Sequence, residues 1–506
     1  MKNFIWFVLF FFVFSIANAQ NDRPNIILFM VDDMGWQDTS VPFWTEKTPL
    51  NERYHTPAME RLADEGMKFT QAYASSVCSP TRVSLISGMN AARHRVTNWT
   101  LFKNKSTDRK SETLSFPDWN VNGIAQVPTE NAYEITALSQ ILKDNGYHTI
   151  HCGKAHWGAI GTPGENPLHL GFDVNISGHA AGGLASYLGE QNFGNRTDGK
   201  PSPVNAIPGL GAYWGEDIFA TEALTLEAIK ALNNAKDNQK PFFLYMSHYA
   251  IHVPVDKDMR FYDKYIQQGL SSKEAAYASL IEGMDKSLGD LMNYLKNNDL
   301  EDNTVVIFMA DNGGLSSEGG WRDLPLHVHN APLNSGKGSA YEGGIREPMI
   351  VKYPKKTMPG SHTDTKVIIE DFFPTILEMA QIKNYKTKQP IDGKSFMPVL
   401  SNPSEKNKNR SFYWNFPNLW GNDGPGIGPT CSIRRGDWKL IYYYETGKKE
   451  LFNISEDIGE TINLAATQPK LVRSLSKKLG KHLRKVNAQR PSFKASGQPC
   501  AWPDEL

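Results

Sequence analysis

Two adjacent carboxylates, Asp32 and Asp33, follow directly on the apolar run Asn25 to Val31 (NIILFMV), and Asp311 and Asn312 stand just beyond a second such run, Thr304 to Met309 (TVVIFM). Alone, an Asp-Asp pair beyond a strand reads as solvated loop acids. The second pair changes that reading. Three carboxylates and an amide gathered at strand ends form an all-oxygen donor set without histidine, which hard cations such as Ca²⁺ prefer and zinc does not.

Further residues able to do chemistry lie between and beyond these pairs. Cys78-Ser79-Pro80-Thr81-Arg82 runs into VSLISG, and Gly153-Lys154-Ala155-His156-Trp157 follows. HYAIHVP carries His252, and GKGSAYEGGIREP carries Lys337. Singly, each has an ordinary explanation, since most lysines are solvated and most loop histidines are merely hydrogen-bonded. Their shared order with the acid pairs is the informative feature. In these six blocks the chain resembles the type I sulfatases of the alkaline phosphatase-like superfamily, whose signature is Cys-x-Pro-x-Arg followed by a helix. Thr81 departs from the family's usual Ser or Ala, while the Cys, Pro and Arg that a modifying enzyme reads are intact.

The resemblance implies a sulfuric ester hydrolase in which a formylglycine-generating or other sulfatase-maturing enzyme converts Cys78 into formylglycine (3-oxoalanine). It also implies that position 78 joins Asp32, Asp33, Asp311 and Asn312 around Ca²⁺, and that Lys154 and Lys337 grip the sulfate. The hydrated aldehyde would present two hydroxyls, one to attack sulfur and one whose proton passes to His156 as sulfate is expelled. His252, with Lys337, would protonate the leaving oxygen. Arg82 would fix the hydrate, aided by the helix N-terminus. The rival chemistries are a phosphate or phosphonate ester hydrolase on the same fold, a transferase, and a non-catalytic glycan binder. A phosphatase would normally carry Ser or Thr and a two-zinc His/Asp cluster, and a binder should have lost the cysteine or the lysines.

The implied substrate is a sulfated glycan or oligosaccharide. Candidate contacts on the loops are Arg93, His94 and Trp99, His179 in ISGHAAGG, and Trp321, Arg322, His327 and His329. Aromatics stack on sugar faces, and Arg and His bind hydroxyls or anions. His327-Val328-His329 as a metal site is weak, because i,i+2 spacing lacks partners.

The elements that must position these residues alternate in type. Apolar runs at 25–31, 147–151, 241–246 and 304–309 read as buried strands, and 57–65, 136–145, 217–232 and 272–297 as helices. That rhythm predicts an α/β fold, a large mostly parallel sheet sandwiched by helices, with its site beyond the carboxyl ends of the strands. After about residue 400 the texture changes: a polar linker, short aromatic strands at 411–416, 432–435 and 438–444, and a helix at 469–485 predict a smaller C-terminal antiparallel sheet plus helix. The expected divisions are 1–19, 20–400 and 401–506.

Residues 1–19 read as an export signal: Lys2, the apolar run Ile5 to Ile16, and Ala17-Asn18-Ala19 for cleavage. The apolar run is shorter than the roughly 20 residues of a membrane span. The expected location is periplasmic or extracellular, with no membrane attachment after cleavage. The 54 Lys plus Arg balance 54 Asp plus Glu, so no global field favours nucleic acid. An anionic substrate must be held by a few local cations. Of the four cysteines, Cys431 and Cys500 could pair, and Cys152 reads as a small buried apolar residue.

Overall fold

The computed structural model describes residues 23–506 apart from 318, 319, 408 and 422, so the leader expected at 1–19 lies outside the described residues. Strand Asn25–Val31 has no polar side because both of its faces are covered: Ile27, Phe29 and Val31 enter one core, and Ile26, Leu28 and Met30 the other. It pairs in parallel with Phe242–Ser247 on one side and Thr304–Ala310 on the other. His148–Gly153 and Val174–Ile176 continue the parallel set. Beyond Thr304–Ala310, strand Arg346–Lys352 runs antiparallel to it and to Met67–Tyr73, and short strands Ser361–Thr363 and Val367–Ile368 complete a nine-stranded sheet. Helices Pro57–Glu65, Ala220–Asp237 and Ser272–Asn297 cover one face, while Cys78–Ser87, Leu138–Asp144 and Phe372–Met379 cover the other.

A separate four-stranded antiparallel sheet joins Ser411–Phe416, Thr430–Arg435, Trp438–Tyr443 and Lys449–Asn453 in sequence order. Helix Pro469–Lys485 sets Leu475, Leu479 and Leu483, one turn apart, against Leu440, Tyr442 and Leu451. Cys431 and Cys500 lie in this same cluster as free thiols, and Cys152 is a free, fully buried thiol in the main core. Lys439, without exposure, bridges Glu342 of the main unit (3.0 Å) and Glu460 (2.9 Å). The second sheet is thereby tied to the segment that carries Lys337.

Candidate functional site

Strand register brings the acids together. Val31 pairs with Ala310, so the Asp32-Asp33 and Asp311-Asn312 pairs leave the sheet side by side. Ligand oxygens of Asp32, Asp33 and Asp311 lie within 4.8 Å of one another, all buried. Asn312 Nδ2 donates to Asp33 Oδ1 at 2.8 Å. Asp33 adopts φ +57°, a left-handed conformation costing a non-glycine residue about 1 kcal/mol or more. That turn lets two consecutive carboxylates face one cluster.

Three cations answer three carboxylates. Lys154 Nζ donates to Asp32 Oδ2 (2.6 Å), Lys337 Nζ to Asp33 Oδ2 (2.8 Å), and Arg82 Nε to Asp311 Oδ2 (2.8 Å). Arg82 also donates to the Lys154 carbonyl (3.0 Å) and to Ser247 Oγ (2.5 Å). Burial, with repulsion from Asp311 and Asp33 that Lys154 only partly offsets, pushes the Asp32 pKa well above the carboxylate range. Asp33 is equally buried, but Lys337, His252 and Lys154 hold it below that range. Asp32 Oδ1 and Asn312 Oδ1 are buried without a hydrogen-bond partner. An orphaned buried acceptor costs about 1–3 kcal/mol, and a hard cation would satisfy both. The donor set fits a divalent ion held by Asp32, Asp33, Asp311 and Asn312. Such an ion would hold Asp32 ionised and leave the cluster net positive, ready for an anion.

Cys78 opens helix Cys78–Ser87, every residue of which is buried, and Arg82 follows one turn later on the same face. The thiol is 4% exposed. Burial raises its pKa against the pull of Lys154 and Lys337, so the unmodified side chain is a neutral thiol and a poor nucleophile. Thr81 Oγ1 accepts from the Ser75 N–H at 2.9 Å and lies 3.3 Å from the Val77 carbonyl. This variable position of the motif ties down the turn before the helix.

Two histidines flank the cluster with defined tautomers. His156 Nε2 donates to the Thr100 carbonyl at 2.9 Å, leaving Nδ1 as a buried lone pair without partner. Burial, then Lys154 and Arg82, lower its pKa well below the usual value. His252 Nδ1 donates to the Val253 carbonyl (2.8 Å), and Nε2 stands 3.7 Å from Asp33 Oδ2. Burial and Lys337 pull His252 down to about 3 against Asp33. Gly182 and Gly183 back these rings: a Cβ would meet His156 Cε1 at 2.1 Å or His252 Cε1 at 2.9 Å. The Gly-rich loop is thus required by close approach.

The sequence-predicted saccharide contacts divide. His179 adjoins the site, its carbonyl accepting from the His156 N–H (3.2 Å), and Trp99 is partly buried next to Thr100. Trp321 is exposed, and His327 is partly buried against Gly424. Others already have partners within the protein. His94 is fully buried, with Nε2 on Ser84 Oγ (3.0 Å) and Nδ1 accepting from the Val96 N–H (3.0 Å). Arg322 is consumed by a bidentate pair with Glu274 (2.9 Å each) over the Tyr277 ring. Arg93 is held bidentately by Asp392 at 2.7 Å. His329, likewise buried, pairs with Ser316 Oγ at 3.0 Å. Sequence reasoning missed Ser247, the Thr100 carbonyl, and Glu347, which is fully buried with neither carboxyl oxygen bonded and whose pKa is raised by burial and by Asp311 and Asp33. It also missed Trp420, whose ring centre lies 5.6 Å from Lys337 Nζ. Only Glu347, standing directly before the apolar Pro348 to Val351 stretch, could have signalled any of these.

Comparison with known proteins agrees with this geometry. The family model described as Sulfatase matches residues 24–382, and that described as N-sulphoglucosamine sulphohydrolase, C-terminal, matches 336–489. A protein named Sulfatase from Formosa agariphila is 32% identical, the match covering 96% of this chain and 95% of the relative. N-acetylgalactosamine-6-O-sulfatase from Bacteroides thetaiotaomicron is 27% identical, covering 91% and 94%. Among solved structures, Ps i-CgsB in complex with k-i-k-neocarrahexaose superposes with a TM-score of 0.73 at 27% identity, covering 91% of this chain and 93% of that one.

Proposed function

Since this chain belongs to the sulfatase family and is a sulfuric ester hydrolase, we propose that it removes an ester sulfate from a sulfated glycan or oligosaccharide, using a formylglycine made from Cys78. The observation that carries this reading is the placement of Cys78 at a helix N-terminus among Lys154, Lys337 and Arg82, beside the acid cluster. The saccharide class is supported by relatives named for N-acetylgalactosamine-6-sulfate and by a similar structure holding a neocarrahexaose.

A calcium ion on Asp32, Asp33, Asp311 and Asn312 would supply charge neutralisation for the sulfate oxygens and acidify a hydroxyl bound beside it. The hydrated aldehyde at position 78 would supply two hydroxyls, one for attack on sulfur and one for expulsion of sulfate. The remaining work falls to side chains. Lys154 and Lys337 hold the sulfate, spreading the charge that grows on its oxygens in the transition state. Arg82, anchored on Asp311 and Ser247, fixes position 78 from one turn along the helix. His252, whose Nε2 stands 3.7 Å from Asp33 Oδ2, gives the leaving oxygen its proton. The anionic ester offsets Lys337 and returns that proton to an imidazole otherwise held neutral. His156, with Nε2–H committed to Thr100, offers Nδ1 as the base for the second hydroxyl. The net reaction takes one water and releases the sugar alcohol and inorganic sulfate.

Export by the leader at 1–19 belongs to the same reading, and no helix among the described residues is long and apolar enough to cross a membrane. The test compares hydrolysis of defined sulfated saccharides, nitrophenyl sulfate and the matching phosphate ester. Preference for sulfated saccharides by orders of magnitude supports the proposal; faster phosphate than sulfate hydrolysis refutes it.

A further inference from the structure

We propose that Trp420 forms a sugar-stacking subsite, holding the apolar face of the pyranose that bears the scissile sulfate; the inference rests on the saccharide sulfatase reading above. Trp420 is 83 residues from Lys337 in sequence, yet its ring is centred 5.6 Å from the Lys337 ammonium. The approach is built in. Gly338 has φ +85°, and a Cβ there would lie 2.3 Å from Trp420 Cε3, so the indole lies directly on a glycine backbone.

The segment carrying Trp420 is fastened to both walls of the site. Asn418 Nδ2 donates to Asp108 (2.9 Å), and the Arg109 N–H donates to the Leu419 carbonyl (2.9 Å). Asp108 also accepts from Asn98 at 2.7 Å, two residues before the Thr100 carbonyl that orients His156. On the other wall, Ser339 Oγ donates to the Pro425 carbonyl (2.7 Å) and the Ala340 N–H to the Gly426 carbonyl (2.9 Å). Trp420 remains partly exposed while the ammonium beside it is buried.

Chemistry then selects the ligand. A sulfate oxygen held by Lys337 is three bonds from the esterified sugar carbon, which brings that ring to the indole. The C–H face of a pyranose is the complement of an indole face, and rigid aromatic walls orient ligands at small conformational cost.

The test uses the mature full-length enzyme and a sulfated saccharide that it cleaves. Trp420→Ala should lower kcat/KM at least tenfold, the loss carried by KM, and Trp420→Phe should restore most of it. In parallel, Cys78→Ser protein is titrated with the panel of defined sulfated saccharides while tryptophan emission is followed. A saturable change that disappears in Cys78→Ser/Trp420→Phe is expected. Overturning results are an unchanged KM in Trp420→Ala, a loss confined to kcat, no rescue by Phe, or an emission change that survives the double substitution. If no saccharide sulfate is cleaved, the functional reading fails separately, and the titration still decides the subsite: no saturable, Trp420-dependent signal overturns it.

Discussion

Cys78 illustrates how a residue's chemistry depends on its surroundings. Burial keeps the thiol protonated even between two lysines, which makes an unmodified cysteine a weak nucleophile and gives conversion to an aldehyde a physical motive. Cys78→Ser should therefore abolish sulfate release while leaving the denaturant midpoint nearly unchanged; retained full activity in that variant would defeat the aldehyde mechanism. Lys154→Ala removes one of the two proposed sulfate clamps and should lower kcat roughly 10²–10³-fold, the usual effect of losing one preorganised charge-stabilising group, as steady-state kinetics would show. The acid cluster was legible because each member directly follows an apolar run, so its place at a strand end could be read from the chain. For His94, Arg322 and Arg93, sequence does not show that Ser84, Glu274 and Asp392 already engage them. Trp420 was illegible for the converse reason: its meaning comes from a lysine far away in the chain.

The long parallel strands were legible because burial on both faces made them apolar runs. Thr304–Ala310 and Phe242–Ser247 are wholly buried and apolar enough to announce themselves. Met67–Tyr73 and Arg346–Lys352 escaped notice because MKFTQAY mixes polar and apolar residues and REPMIVK opens with Arg-Glu-Pro. Both belong to the antiparallel side of the sheet, where the alternating βαβ pattern stops. Lys439 is a fully buried electrostatic link between the second sheet and the segment at Glu342. Lys439→Met would leave Glu460 without a cation and Glu342 with only Arg346 at 3.5 Å, and a loss of about 3–5 kcal/mol is expected in denaturant unfolding. Glu370, in the turn before helix Phe372–Met379, is raised to about 7 from 4.5 by burial and then by Asp371. Below pH 4.5 the carboxyl is protonated in both folded and unfolded chains, and its contribution is fully present. As the pH climbs to 7 the unfolded chain releases a proton that the folded one keeps, so stability falls by up to about 3 kcal/mol. Glu370→Gln should flatten that slope in unfolding curves taken from pH 4.5 to 8.

The whole molecule carries no net charge, so affinity for an anionic substrate must arise from the local cations around Cys78. There, Lys154, Lys337 and Arg82 face three carboxyl groups, and a divalent ion would add positive charge for the anion. Chelation with EGTA should lower activity reversibly and also lower the melting temperature, because an ion that binds only the folded state adds about 2.7 kcal/mol at 100 times its Kd. Unchanged activity and melting after complete decalcification would remove the metal from the account. The second sheet contributes beyond stability. Through Lys439 and residues 418–427 it braces the segment around Lys337, a dependence that the change in texture after residue 400 did not disclose. The central claim concerns one side chain, and mass spectrometry of the peptide spanning position 78, taken from active enzyme, tests it most directly. The account predicts an aldehyde there, trapped by hydrazine, in proportion to specific activity; fully active protein carrying only an unmodified Cys78 would contradict it.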